Sequence, residues 1–341
     1  MRILVVGGTG FIGTRVVARL AAHDVTVFHR GNECTDYTCE HIHGERGNLL
    51  SFREQFARHQ FDVVLDMTAR NGDDAALGVA TFTGLAPRLV LISSGSVYRT
   101  FGVLLGVEDA AVDNDPCTED AALRSRLFPY RGAVPRHPSD RWAFLDDYDK
   151  ILAERCYLNA TGLGSSVIRL PMVYGPGDPD RRLVPYVRRM LDDRPIPLQP
   201  RVASWRNSRG YVDNVAAAIA RVVTVGRPSA IYNYAEQGDA SESEWICRIG
   251  ELLGWQRNFI SVPDGAAFGG PSIDELPREA RFEQHLRIDS RRLREQLDYN
   301  EVVSSMRALE YAVQAAQDDA PRIDYNAEEG ALRRLALTLP R

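Results

Sequence analysis

The chain has 341 residues, 44% hydrophobic and 26% charged, which suits a folded chain with a sizeable core and excludes a disordered one. A formal charge of -5 argues against a surface built for nucleic-acid phosphates, and no run of apolar residues is long enough to cross a membrane. Five scattered cysteines form no disulfide framework, and Met1 leads straight into an apolar run rather than a signal peptide, so a cytoplasmic location is expected.

The first run, "RILVV" at 2–6, ends in glycines and predicts a strand buried on both faces of a parallel sheet. "FIGTRVVARLAA" follows, with Phe11, Ile12, Val16, Val17 and Leu20 at helical spacing. Further strands are predicted at 25–29, 61–67, 88–94 and 165–170, alternating with helical patterns. That alternation means βαβ units and an α/β fold, a doubly wound parallel sheet of the Rossmann type. From residue 171 prolines are dense and the elements shorten, which predicts a smaller carboxy-terminal substrate lobe. The expected division is a dinucleotide domain over 1–170, with 206–235 returning to it. The lobe then takes 171–205 and 236–320, and a tail takes 321–341.

The segment "VVGGTGFIG" places Gly7, Gly10 and Gly13 between a strand and a helix, the context in which such a triplet binds a dinucleotide. Gly7 allows the turn, Gly10 a close approach of backbone to pyrophosphate, and Gly13 close packing of helix on strand. The helix start adds free N–H groups and a positive dipole end. The second strand ends in His29 and Arg30, with no acid to bind ribose hydroxyls. A guanidinium matches a 2′-phosphate, so NADP is the expected coenzyme. NAD is the alternative, with Arg30 stacking on adenine or facing solvent. Just beyond, Cys34, Cys39, His41 and His43 read either as zinc ligands or as the polar alternation of an edge strand. Their spacing matches no closed zinc site, and no metal is expected.

On six segments the chain resembles the extended short-chain dehydrogenase/reductases, the NAD-dependent epimerase/dehydratase family that acts mostly on nucleotide sugars. These are "GGTGFIG" (7–13), "LDMTA" (65–69), "ISSGSVY" (92–98), "KILAER" (150–155), "RLPMVYGPGD" (169–178) and "YVDNVAAAI" (211–219). The resemblance implies hydride exchange with a nicotinamide. Its cofactor contacts fall on Gly7, Gly10, Phe11, Ile12, Gly13, His29 and Arg30. Met67, Thr68 and Ala69 would lie beside the nicotinamide ribose; Glu45, Arg46, Ser93, Lys150, Pro171 and Val173 complete the set. Ser94 would orient the substrate oxygen, and Ser94, Ser96, Met172, Arg206 and Arg209 are the candidate substrate contacts, with Met172 standing where the family often has Asn and neither arginine in the family's usual register. Helices around 72–84 and 143–161 would build a homodimer face.

Lys150 is the single lysine among 41 cationic residues, and it falls at the family's catalytic lysine. In that family a tyrosine precedes the lysine by four residues, so both face the nicotinamide, and the ammonium tunes the phenol as a base. Here that place holds Asp146. Tyr148, two residues before the lysine, would point about 200° round a regular helix. Proton transfer is therefore assigned among Asp146, Tyr98 and Tyr130, and Asp146 with Lys150 reads equally as a helix salt bridge. Between Tyr98 and Asp146 lie 47 residues, rich in arginine and aromatics, including Arg124, Arg126, Tyr130, Arg131 and Arg136. Such an insertion suits an anionic, ring-bearing ligand, a solvated lid or a subunit contact. Three functions stay open: an epimerase or dehydratase on a nucleotide sugar, a reductase on a non-sugar carbonyl in natural-product assembly, and a non-catalytic dinucleotide sensor or RNA-binding relative.

Overall fold

The computed structural model describes residues 1–31, 39–270, 276–277 and 279–335. Six strands come first: β1 (Arg2–Val6), β2 (Asp24–His29), β3 (Glu40–His43), β4 (Val63–Asp66), β5 (Arg88–Ser94) and β6 (Gly164–Leu170). Among them run α1 (Gly13–Arg19), α2 (Arg53–Ala57), α3 (Gly72–Phe82), α4 (Arg99–Leu104) and α5 (Lys150–Leu158). Then follow β7 (Met172–Tyr174), β8 (Ile196–Leu198), β9 (Arg209–Tyr211), β10 (Ile231–Asn233) and β11 (Phe259–Ser261).

Seven of these strands form one sheet, in the order β10-β6-β5-β4-β1-β2-β3. Every pairing in it is parallel. The order reverses at β1, so the carboxyl ends of β1 and β4 flank the switch point where such sheets bind dinucleotides. Ile3, Leu4, Val5 and Val6 are buried, as a central parallel strand requires. Ile3 and Val5 join one face of the core with Val16, Val27 and Ile219. Leu4 and Val6 join the other with Phe28, Phe56 and Tyr157. Each such side chain contributes about 1.5–3 kcal/mol on burial, so the two faces hold the sheet rigid beneath its loops.

The segment after β9 returns to the sheet: the helix Val212–Val225 packs on α1, and β10 adds to β6 at the register Ile231 to Val167. A second core forms beside the sheet from Trp205, Trp245, Val187, Ile249 and Leu309. The helix Asn326–Arg334 closes over a third cluster, burying Leu332 against Ile260 and Val262. Among the described residues, no helix is long and apolar enough to cross a membrane.

One expected element is broken. Residues 143–161 are not a single helix. A 3₁₀ turn, Ala143–Asp147, ends at Tyr148, whose backbone is extended (φ −77°, ψ 119°). Asp149 is also extended and caps α5, its carboxylate accepting from the Ile151 N–H. The cap satisfies an orphan donor that a continuous helix would not leave, and so fixes the start at Lys150.

Candidate active site

The glycine loop meets its geometric demands. Gly7 has φ +92°, and a Cβ there would lie 2.2 Å from Thr68 Cγ2. A Cβ on Gly13 would fall 2.7 Å from the carbonyl carbon of Gly8. At Gly10 a Cβ would meet nothing within 4 Å, so that backbone is open to an incoming group. Beside the loop lies a cavity of about 540 Å³ at the ends of β1, β2 and β4. Its walls include Gly7, Thr9, His29, Arg30, Glu45 and Thr68. His29 is buried with Nδ1 unbonded among the described groups, while its Nε2 meets His41 Nδ1 at 2.9 Å. Burial and the neighbouring His43 and His41 lower its pKa. An open glycine loop and the cavity beside it fit a dinucleotide at this end.

Arg46 also borders this cavity, its guanidinium held by neighbouring protein groups. The guanidinium grips buried Asp66 through both nitrogens, at 2.7 and 2.8 Å, and reaches Thr68 Oγ1 and the Asp74 carbonyl. Burial alone would raise the Asp66 carboxyl; Arg46 and the Tyr157 hydroxyl overcome it and hold it at about 2. Arg46 thus lines the cavity and also ties the first turn after β3 to β4. Cys39, His41 and His29 form a hydrogen-bonded chain, with Cys39 Sγ 3.4 Å from His41 Nε2. Among the described residues no group of three His, Cys, Asp or Glu is placed to hold a metal, and Cys34 lies outside them.

A second cavity, of about 420 Å³, opens on the other side of the loop. Phe11 and Ile12 of the loop, Pro171 and Val173 beyond β6, and Lys150 and Tyr148 line it. Lys150 is buried and points at the strand ends, donating to the carbonyls of Ala69 (2.6 Å) and Ile92 (2.8 Å). Two ammonium protons are thereby placed, and the third is left for the cavity. Burial lowers its pKa to about 8, against the opposing pull of Asp66.

The break at residue 148 reverses the expectation for Tyr148. Because the chain is extended there, its ring swings to the same side as Lys150, with Nζ 5.9 Å from the ring centroid. Its phenol stands close enough to Ser94 and Ser96 for both to act on its pKa, and all three residues line the one cavity. Burial raises the phenol's pKa, and those two serines together with the Arg124 charge work against the rise. Ser94 is itself fixed, its hydroxyl accepting from the Ser96 N–H at 3.1 Å. Serine, tyrosine and lysine thus meet at one cavity floor, with the tyrosine two residues before the lysine instead of four.

The other proton-transfer candidates stand elsewhere. Asp146 is not stacked on Lys150; its carboxylate is held by the Arg136 side chain and backbone N–H, which lower its pKa. Tyr98 is buried, donates to Asn233 Oδ1 at 2.6 Å and accepts from Arg169 at 3.0 Å. Burial pushes it up to about 12. Tyr130 does enter the cavity from the insertion, edge-on to Tyr148 with centroids 5.7 Å apart. Ser93 also lines the cavity, with its hydroxyl donated to Glu154 at 2.5 Å. Met172 and Ser96 line the cavity. Arg209 does not: it is buried against Glu242 and over the Trp245 ring. Arg206 is drawn to Asp239 and Glu244 outside the cavity. Besides Lys150, the cations that reach its wall are Arg182 and Arg287, which sequence reasoning missed because neither belongs to a recognisable motif. Tyr148 carried a legible signal: an aspartate directly before an apolar helical run is an N-cap pattern.

Residues 3–81 match the NAD dependent epimerase/dehydratase family. The dTDP-glucose 4,6-dehydratase of Shigella flexneri is 24% identical over 284 residues, which cover 74% of this chain and 77% of that protein. The probable dTDP-glucose 4,6-dehydratase of Sinorhizobium fredii is 26% identical over 277 residues, covering 74% and 76%. Among solved structures, a Bacillus anthracis dTDP-glucose 4,6-dehydratase in complex with NAD superposes with a TM-score of 0.66 at 20% identity, covering 94% of this chain and 97% of that one. A UDP-glucose 4-epimerase from Thermotoga maritima with UDP-glucose gives a TM-score of 0.66 at 18% identity, covering 94% and 99%. At these identities the structural likeness establishes the fold.

Proposed function

We propose that this chain is a member of the extended short-chain dehydrogenase/reductases, in the NAD-dependent epimerase/dehydratase family, and an enzyme that oxidises and reduces a carbinol carbon of a nucleotide sugar. One observation carries the reading: the phenol of Tyr148, the hydroxyl of Ser94 and the ammonium of Lys150 converge on one cavity floor at the end of β5. A nicotinamide dinucleotide, when bound, supplies the hydride chemistry. Gly7, Gly10 and Gly13 would take its pyrophosphate, and the remaining proton of Lys150 its ribose. Ser94 orients the substrate oxygen. Tyr148 takes the proton of that oxygen on oxidation and returns it on reduction, its phenolate favoured by the Lys150 charge. Arg182 and Arg287, with Asn207, line the same cavity and give an anionic diphosphate its cationic wall.

The coenzyme preference we assign is NADP, on Arg30, which is exposed at this first cavity, where β2 ends in His29 and Arg30 and not in an acid. The packed pair α3 and α5 is the face we assign to a second copy, on the strength of the resemblance. A second reading, a reductase acting on a non-sugar carbonyl, is favoured by the apolar walls Phe101, Tyr130, Trp142, Leu286 and Ile288.

The test compares Tyr148→Phe with Asp146→Asn on UDP-glucose and dTDP-glucose, with NADP+ and NAD+ supplied, following products by NMR. Tyr148→Phe is expected to lower kcat by about 10²–10⁴-fold, the usual worth of general acid–base catalysis, with coenzyme affinity unchanged. Asp146→Asn is expected to stay within about twofold of wild type. Loss of turnover in the asparagine variant alone would return proton transfer to Asp146.

A further inference from the structure

A single guanidinium joins the two halves of the candidate active site. Arg124 belongs to the insertion, yet its side chain is 1% exposed. Its Nε donates to the Ser96 carbonyl at 2.5 Å, in the turn that presents Ser94. Nη1 donates to the Arg126 carbonyl, and Nη2 meets Asp149 Oδ1 at 3.3 Å. The backbone N–H of Arg124 bonds the Val97 carbonyl at 2.9 Å, so the insertion is stitched to the end of β5. Asp149 has no exposed surface and is fully engaged. Its Oδ1 caps α5 through Ile151 N–H at 2.9 Å, and its Oδ2 accepts from the Phe128 N–H at 2.6 Å. Phe128 makes that bond in a left-handed backbone conformation, φ +52°, which a bulky residue adopts only when its surroundings hold it there.

Neither Arg124 nor Asp149 lines the cavity, so neither touches substrate or coenzyme. Both act on what lies between them. Tyr148 is the residue before Asp149, and Ser96, whose carbonyl Arg124 holds, stands beside the Tyr148 phenol. A buried ion pair is a poor device for stability, since desolvating both charges offsets most of their attraction. It is a good device for fixing distance and direction. Resting on the Tyr148 reading above, we infer that Arg124 and Asp149 are positioning residues: a clamp, supplied by the insertion, that holds the Tyr148 phenol against Ser94 for proton transfer. The charged and titratable groups around that phenol are then Lys150 on α5, Arg124 and Tyr130 from the insertion, and Asp149 at the cap. Of these, the Arg124 charge favours the phenolate and the Asp149 charge opposes it.

The experiment reads Tyr148 directly. Full-length protein is labelled with ¹³Cζ-tyrosine, the Tyr148 resonance is assigned through Tyr148→Phe, and its titration is followed with and without NADP+. Two variants are compared with wild type. Arg124→Lys keeps a charge opposite Asp149 but cannot fork to Asp149 and both carbonyls. The double variant Arg124→Gln with Asp149→Asn removes both charges and keeps the volume, which guards against misfolding from one unpaired charge. In Arg124→Lys the resonance is expected to move or broaden, and in the double variant the midpoint is expected to change by about one pH unit. NADP+ affinity is expected to stay within about threefold of wild type in Arg124→Lys, because Lys150 is untouched. A wild-type resonance and midpoint in both variants overturns the clamp, whatever Tyr148 does. Shifted resonances, with Tyr148→Phe still turning over the nucleotide sugars like wild type, instead overturn the catalytic reading of Tyr148 and the clamp's purpose with it.

Discussion

Lys150 is where one side chain decides most. Forty arginines serve every other cationic position, yet this buried site holds the compact ammonium. An arginine could neither fit both carbonyls of Ala69 and Ile92 at ammonium distances nor shed its charge. The cost is electrostatic. With its pKa lowered from 10.5 to about 8, folded Lys150 binds its proton more weakly than the unfolded chain does. Between those values the unfolded state holds more protons, so stability contributed by this group rises with pH through that window. Below about pH 8 the penalty is present in full, on the order of 3 kcal/mol. The coenzyme-free Lys150→Met variant escapes it. Urea denaturation is therefore expected to find the variant's stability relative to wild type greatest near about pH 7 and falling toward about pH 10. A difference that does not vary with pH would mean that burial does not penalise the ammonium.

Among the elements, the carboxyl end of β2 and the start of α5 show what local sequence can and cannot specify. At the end of β2, His29 is drawn inward to His41, which leaves Arg30 as an exposed charge of β2's end at the cavity proposed for the coenzyme, with Glu45 and Arg70 exposed on the same cavity. A guanidinium on a 2′-phosphate makes charge-assisted bonds worth about 1.5–3 kcal/mol each. Arg30→Asp is accordingly expected to weaken NADP+ binding by about 10–100-fold and to spare or improve NAD+, read by calorimetric titration. Equal losses for both coenzymes would assign Arg30 to the shared adenosine instead. The strands themselves were legible. Apolar runs bounded by Gly, Pro and Asp mark β1 and β5 to the residue, because both faces of those strands are buried. The break before α5 was misread because Asp146 and Lys150 imitate a helical pair four residues apart. The competing instruction, Asp149 as a cap, wins because Arg124 and Phe128 N–H meet its carboxylate from far along the chain. No local pattern announces a guanidinium that becomes buried only through such long-range partners.

Taken whole, the molecule rests the proposed coenzyme site and the outer walls of the second cavity on separate cores. The sheet carries the glycine loop, Lys150 and the strand ends. The lobe core around Trp205 and Trp245 carries Leu286, Arg182 and the outer walls of the second cavity. Among the described residues the helix Asn326–Arg334 is tied beside the second core, through Leu332 against Ile260 and Val262 and through ion pairs of Glu328 with Arg189 and Glu329 with Arg194. Those pairs are partly exposed and each contributes about 0–1 kcal/mol, so Leu332 is the stronger tie. Truncating it removes buried methyl groups and leaves a void, at a cost of about 2–5 kcal/mol. Leu332→Ala is thus expected to lower the lobe's Tm by on the order of 4–10 °C in calorimetry. NADP+ affinity, built on the sheet, is expected to remain within about twofold of wild type. Were coenzyme binding to weaken in step with the Tm, the two cores would be one cooperative unit, and the tail helix would stabilise the coenzyme site as well as the substrate cavity.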